Sequence, residues 1–172
     1  EQMRNGHKLP VVGGSDYHKD YVITNMLCWP VTYVYAKSNS SEDILDAIVK
    51  GRTTICFDVG TTFIDIKSGN AVLGDTVKLK ENTEVTINVK KMLRKHKLVV
   101  FDKDGECFSY TAKTTKDYSV TLPVEKDGFL CAHVVFEPVK EFVCCNCSES
   151  VGYYLHRVAH CNPATFLSVV NG

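Results

Sequence analysis

After Arg52 the spacing of apolar residues changes from a helical period to a period of two. Val85, Ile87 and Val89 alternate with Thr86, Asn88 and Lys90, the pattern of a half-exposed antiparallel strand. Similar runs lie at 53–58, 61–67, 75–80, 83–91, 96–102, 106–112, 117–122, 128–136, 153–159 and 164–170. Turn-forming residues punctuate them: Lys67-Ser68-Gly69-Asn70, Lys80-Glu81-Asn82, Asp102-Lys103-Asp104-Gly105 and Glu125-Lys126-Asp127-Gly128. Many short strands at regular spacing predict a β-sandwich. Upstream, Ile44, Leu45, Ala47 and Ile48 make one apolar face of a helix over 40–50. Asn39 or Ser40 can cap it, Glu42 and Asp43 suit its dipole, and Gly51 is placed to end it in the left-handed conformation. Residues 9–12 and 31–36 read as strands, with an irregular stretch from Asp20 to Trp29 between them. The change of period divides the chain into 1–52 and 53–172.

At 172 residues the chain is long enough for one ordinary domain with a small appendage. Twenty basic and twenty acidic side chains cancel, so no charge excess points to nucleic acid. The apolar runs are too short to span a bilayer, and neither a nucleic-acid nor a membrane partner is expected. Eight cysteines are many, but most sit inside apolar strand-like runs such as Thr54-Ile55-Cys56-Phe57. There a thiol packs as a small hydrophobe, which favours reduced cysteines and a cytoplasmic location over disulfides.

Three clusters carry candidate chemistry. In Leu9-Pro10-Val11-Val12-Gly13-Gly14-Ser15-Asp16-Tyr17-His18 an apolar run meets two glycines, then a carboxylate and an imidazole two residues apart. Asp16 and His18 offer oxygen and nitrogen ligands suited to Zn²⁺, Mn²⁺ or Fe²⁺. Cys144, Cys145 and Cys147, with His156, His160 and Cys161, contain a C-x-x-C spacing. A zinc site there requires 153–160 to be helical, whereas Tyr153, Tyr154 and Val158 read as strand, so a cysteine-rich loop is the simpler reading and a disulfide a third. Arg52 could grip a phosphate but is better placed to pair with a carboxylate. Lys90, Lys91, Arg94, Lys95, His96 and Lys97 form a basic cluster without interleaved aromatics, which reads as a solvated interstrand turn.

The Gly13-Gly14-Ser15-Asp16-Tyr17-His18 run, the segment Trp29-Pro30-Val31-Thr32-Tyr33-Val34-Tyr35-Ala36 and the helix ending in Gly51-Arg52 together resemble the C-terminal end of PHP-family metal-dependent phosphoesterases (the polymerase and histidinol phosphatase superfamily). The resemblance spans roughly residues 5–57 and continues more loosely to Asn162-Pro163. It implies a mainly β chain in which residues 1–52 are a short βαβ remnant of a PHP-type α/β barrel and 53–172 an appended β-sandwich. It implies that Asp16 and His18 are metal ligands and that the full-length protein hydrolyses a phosphorylated small molecule with a divalent metal, Zn, Mn or Fe. Such a site also needs a His-x-His pair and further ligands, and this chain has no His-x-His. The expectation is therefore a C-terminal fragment with an incomplete metal site, partnered by the N-terminal barrel of its parent, inactive alone, with no catalytic base or nucleophile of its own. The exposed remnant strands could pair with a second copy of the chain. The alternative is a non-catalytic β-sandwich that binds a ligand or another protein.

Overall fold

The structure, a computed structural model, describes residues 10–14, 30–136 and 164–171. Among these the chain is mainly β, with several antiparallel sheets and one short helix. The first layer is β1 (Val31–Val34), α1 (Ser41–Val49) and β2 (Thr53–Cys56). Ser40 caps the helix, its hydroxyl accepting from the Asp43 N–H at 3.2 Å. At the other end the Gly51 N–H donates to the Ile48 carbonyl (2.8 Å) and the Arg52 N–H to the Ala47 carbonyl (2.9 Å). With Gly51 at φ +72° this is a Schellman ending, which satisfies two carbonyls and reverses the chain within one residue.

That reversal corrects one expectation. A βαβ barrel unit sets its two strands parallel, but β1 and β2 pair antiparallel, from Val31 opposite Cys56 to Val34 opposite Thr53. The tight turn at Gly51 sends β2 back alongside β1, and the Tyr35 N–H extends the ribbon by donating to the Arg52 carbonyl at 2.9 Å. The expected strand at 9–12 is also not formed: residues 10–12 are irregular, and Leu9 lies outside the described residues. Val11 and Val12 are exposed.

The remaining strands are β3 (Phe63–Ser68), β4 (Ala71–Val72), β5 (Thr76–Leu79), β6 (Glu84–Met92), β7 (His96–Phe101), β8 (Glu106–Thr111), β9 (Lys116–Pro123), β10 (Gly128–Phe136) and β11 (Ala164–Asn171). They form a four-stranded sheet in the order β4-β3-β6-β9 and a five-stranded sheet in the order β5-β11-β10-β7-β8. Among the described strands, only β11 and β5 pair parallel. The period of two decides what lies between the sheets. Ile64 and Ile66 of β3 and Val85, Ile87 and Val89 of β6 meet Leu98 and Val100 of β7 and Leu130, Ala132 and Val134 of β10 in one buried cluster. Each such aliphatic side chain contributes about 1.5–3 kcal/mol on leaving water. The side where β8 and β9 end the two sheets is closed by Tyr110 and Tyr118, whose rings stack 3.9 Å apart and 3° from parallel.

Arg52 joins the first layer to the sandwich. Its Nε and Nη2 donate to Asp75 Oδ1 at 3.1 and 2.7 Å, while Asp75 Oδ2 accepts from the Val72 N–H at 3.1 Å. Beside this pin, Gly74 at φ +80° lies against the backbone of Lys50 to Arg52, and a Cβ there would meet backbone atoms at 2.6 Å. Arg52 is therefore paired with a carboxylate within the fold.

Candidate functional site

The residues that lead into the run containing Asp16 and His18 are held against the β1–β2 ribbon by two threonines, one from each strand. The Thr53 hydroxyl donates to the Val11 carbonyl at 2.7 Å. The Thr32 hydroxyl accepts from the Gly13 N–H at 2.9 Å and donates back to the Gly13 carbonyl at 3.4 Å. One side chain thus satisfies both polar groups of a backbone unit that no strand pairs.

Gly13 is required there for space. A Cβ built on it would lie 2.8 Å from Pro30 Cγ and 2.9 Å from Ile55 Cγ2, both part of the ribbon. Gly14 has no such neighbour and is exposed. The first glycine of the pair is therefore a packing glycine and the second is free of steric demand. Asp16 and His18 follow two and four residues after Gly14 and lie outside the described residues, as do Cys144, Cys145, Cys147, His156, His160 and Cys161. Among the described residues no group of three or more His, Cys, Asp or Glu side chains could hold a metal ion.

Among the described residues, one thiol and one imidazole lie close together. Cys131 Sγ lies 3.2 Å from His133 Nε2 on β10, the spacing of a thiol–imidazole dyad. Burial pushes the thiol up to about 11 and holds the imidazole below its usual value. Both groups are neutral near pH 7, whereas a reactive cysteine needs its thiolate. Cys56 is more extreme, with its thiol pushed up to about 12 by burial. Cys56, Cys107 and Cys131 are all free, and Cys107 is exposed.

A cleft of about 330 Å³ opens at one end of the sandwich, between the β7–β8 turn and the β9–β10 connection. Leu122, Val124, Phe129 and Leu130 line its apolar part. Ion pairs from Lys103 to Asp127 (3.0 Å) and from Lys126 to Asp104 (3.3 Å) join the two turns at its rim.

The residue order singles out Asp16 and His18 as candidate ligands, but nothing in its spacing marks Thr32 and Thr53 as supports of the segment before them. Their signal is weak in sequence, because a threonine in a strand usually reports β propensity and nothing else. Among the described residues no helix is long and apolar enough to cross a membrane, a statement that leaves β-barrels aside. Comparison with protein-family models, with curated proteins and with solved structures finds no match.

Proposed function

We propose that this chain contributes Asp16 and His18 to the divalent-metal site of a PHP-type phosphoesterase acting on phosphorylated small molecules in the cytoplasm. The observation that carries the reading is the run from Gly13 to His18, together with the way its leading glycine is fixed. Gly13 is held by Thr32 and lies close against Pro30 and Ile55, so the segment entering the ligand run starts from a defined point on the β1–β2 ribbon. Precise placement of ligands needs such support, because a metal site tolerates little drift in its donors.

The donor set fits Zn²⁺, Mn²⁺ or Fe²⁺ in kind, a carboxylate oxygen and an imidazole nitrogen. It does not fit in number, because a catalytic zinc is held by three protein ligands and a structural one by four. The missing ligands belong to the barrel that carries the His-x-His pair. A divalent metal held in the complete site would supply Lewis acidity toward a phosphoryl oxygen and a hydroxide nucleophile, with Asp16 and His18 among the residues that would hold it. The part of this chain is to place Asp16 and His18 on one side of that ion.

The test is metal-dependent hydrolysis of p-nitrophenyl phosphate by the full-length protein and by its Asp16→Ala and His18→Ala variants. Each substitution should reduce turnover to background, and unchanged turnover in both would refute the assignment. The chain alone should show no turnover. Activity of the chain alone that either substitution abolishes would contradict the incomplete site. A second reading, a ligand-binding sandwich with no catalytic part, draws on the 330 Å³ cleft. Full activity in both variants would favour it.

A further inference from the structure

The chain is neutral overall, but its sandwich is polarised from end to end. The end that holds the cleft carries Asp102, Asp104, Glu125 and Asp127 against Lys103 and Lys126. At the opposite end the β6–β7 turn (residues 93–95) lies beside the β8–β9 turn (residues 112–115). Three hydrogen bonds lace these turns together: Arg94 N–H to the Thr115 hydroxyl, Lys95 N–H to the Ala112 carbonyl and Ala112 N–H to the His96 carbonyl. The lacing gathers Arg94, Lys95, Lys113 and Lys116, all exposed, on one surface. The nearby carboxylate of Asp117 is already engaged by Lys90 Nζ and the Lys91 N–H, both at 2.8 Å.

Two further features set this surface apart from a solvated turn. Leu93, next in sequence to Arg94 and Lys95, is 38% exposed, although Met92 before it is fully buried. Lys91 and Lys95 both hold positive φ, +52° and +67°, where glycine or asparagine would be less strained. An exposed apolar side chain on a turn that also carries cations is the surface chemistry of a peripheral membrane contact: the leucine enters the headgroup layer and the cations meet lipid phosphates. Nucleic acid fits less well, because neither 93–95 nor 112–116 contains an aromatic residue on which a base could stack.

We propose that this end of the sandwich docks on an anionic lipid surface, with Leu93 in the headgroup layer and Arg94, Lys95, Lys113 and Lys116 against lipid phosphates. The contact needs no membrane-spanning segment, and the acidic opposite end orients the molecule away from the bilayer.

Co-sedimentation with vesicles tests it. The chain should bind vesicles of three parts phosphatidylcholine to one part phosphatidylserine, fail to bind pure phosphatidylcholine, and be released by high salt. Arg94→Gln with Lys95→Gln should weaken partitioning roughly thirtyfold, and Lys113→Gln with Lys116→Gln on the second turn should do the same. Leu93→Ser should weaken it roughly tenfold while leaving its salt dependence in place. Lys103→Gln at the acidic end should change nothing, and circular dichroism should show every variant folded. Equal binding to both vesicle types, or wild-type partitioning of Leu93→Ser or of both turn variants, would overturn the proposal. So would a duplex oligonucleotide or inorganic phosphate binding with the same mutational pattern while anionic vesicles do not bind.

Discussion

In the sandwich, Ile64, Ile66, Ile87 and Leu98 are fully buried between two sheets; in the β1–α1–β2 layer, Leu45 and Val49 of the helix are 61% and 71% exposed. Val12 and Tyr35 of the same layer are more than half exposed. The two regions draw on similar residue types but differ in what lies opposite them. The sandwich supplies both of its own faces. The first layer buries β2 and the inner side of its helix, through Cys56 and Ala47, and presents its other side to solvent. Tyr33, Tyr35, Leu45 and Val49 are the exposed apolar side chains of residues 30–57, a larger share than the sandwich core leaves uncovered. Under the proposed function this open side would face the rest of the metal site.

The largest effects separating the two regions should come from truncation. Ile87→Ala removes a fully buried side chain from the middle of the core and should cost about 2–5 kcal/mol in denaturant unfolding. Leu45→Ala and Val49→Ala, on the exposed side of α1, should each change stability by less than about 0.5 kcal/mol. Comparable losses in both regions would mean that the first layer has a closed core of its own.

Next in size is Gly13→Ala. The added methyl meets Pro30 and Ile55 below 3.0 Å, so the ribbon or the 11–14 segment must shift. A cost of about 1–3 kcal/mol is expected, with Gly14→Ala near neutral because nothing surrounds it. In the full-length protein Gly13→Ala should also weaken metal binding and Gly14→Ala should not, measurable by Mn²⁺ titration. Equal behaviour of the two glycines would remove the clamp from the account.

The sandwich was readable in outline. Its alternation is strict because one face of each strand is buried, and β6 at 84–92 and β10 at 128–136 lie within a residue or so of where the period places them. β4 escaped because two residues carry no period, and it forms only where Lys67 and Ser68 offer an edge. The helix was legible through its cap, through Gly51 and through Ile44, Ala47 and Ile48 of its expected apolar face, whereas Leu45, expected on that face, is 61% exposed. The direction of β2 was not, because a period identifies a strand but not its partner, and the antiparallel ribbon follows from a turn of one residue. Around the candidate site, the ligand run is visible as residue types in order. The clamp on Gly13 depends on Thr32, nineteen positions away, and on Ile55, contacts that no local pattern encodes.

A smaller effect separates the regions by pH. His96 on β7 and His133 on β10 are both held below 6.5 by burial. In the unfolded chain each takes up a proton near 6.5 while the native side chain resists it. Their contribution to stability is therefore present above 6.5 and lost as pH falls from there toward the depressed native values. The unfolding midpoint should drop between pH 7.5 and 5.5, and His133→Gln should flatten that dependence. A midpoint that rises on acidification would contradict the assignment. The smallest expected effect is on association. Leu45→Ser with Val49→Ser should leave the fold intact and reduce any self-association seen by light scattering, since those side chains would sit at the interface with a second copy.

Amide hydrogen exchange of the chain under conditions where light scattering reports a monomer compares the two regions most directly. The account predicts that amides of β3, β6, β7 and β10 exchange only through global unfolding, whereas those of β1 and of residues 11–14 exchange orders of magnitude faster through local opening. Equal protection of β1 and the sandwich core in the monomer would show that the first layer is complete in itself, and would contradict the claim that it is one side of a larger site.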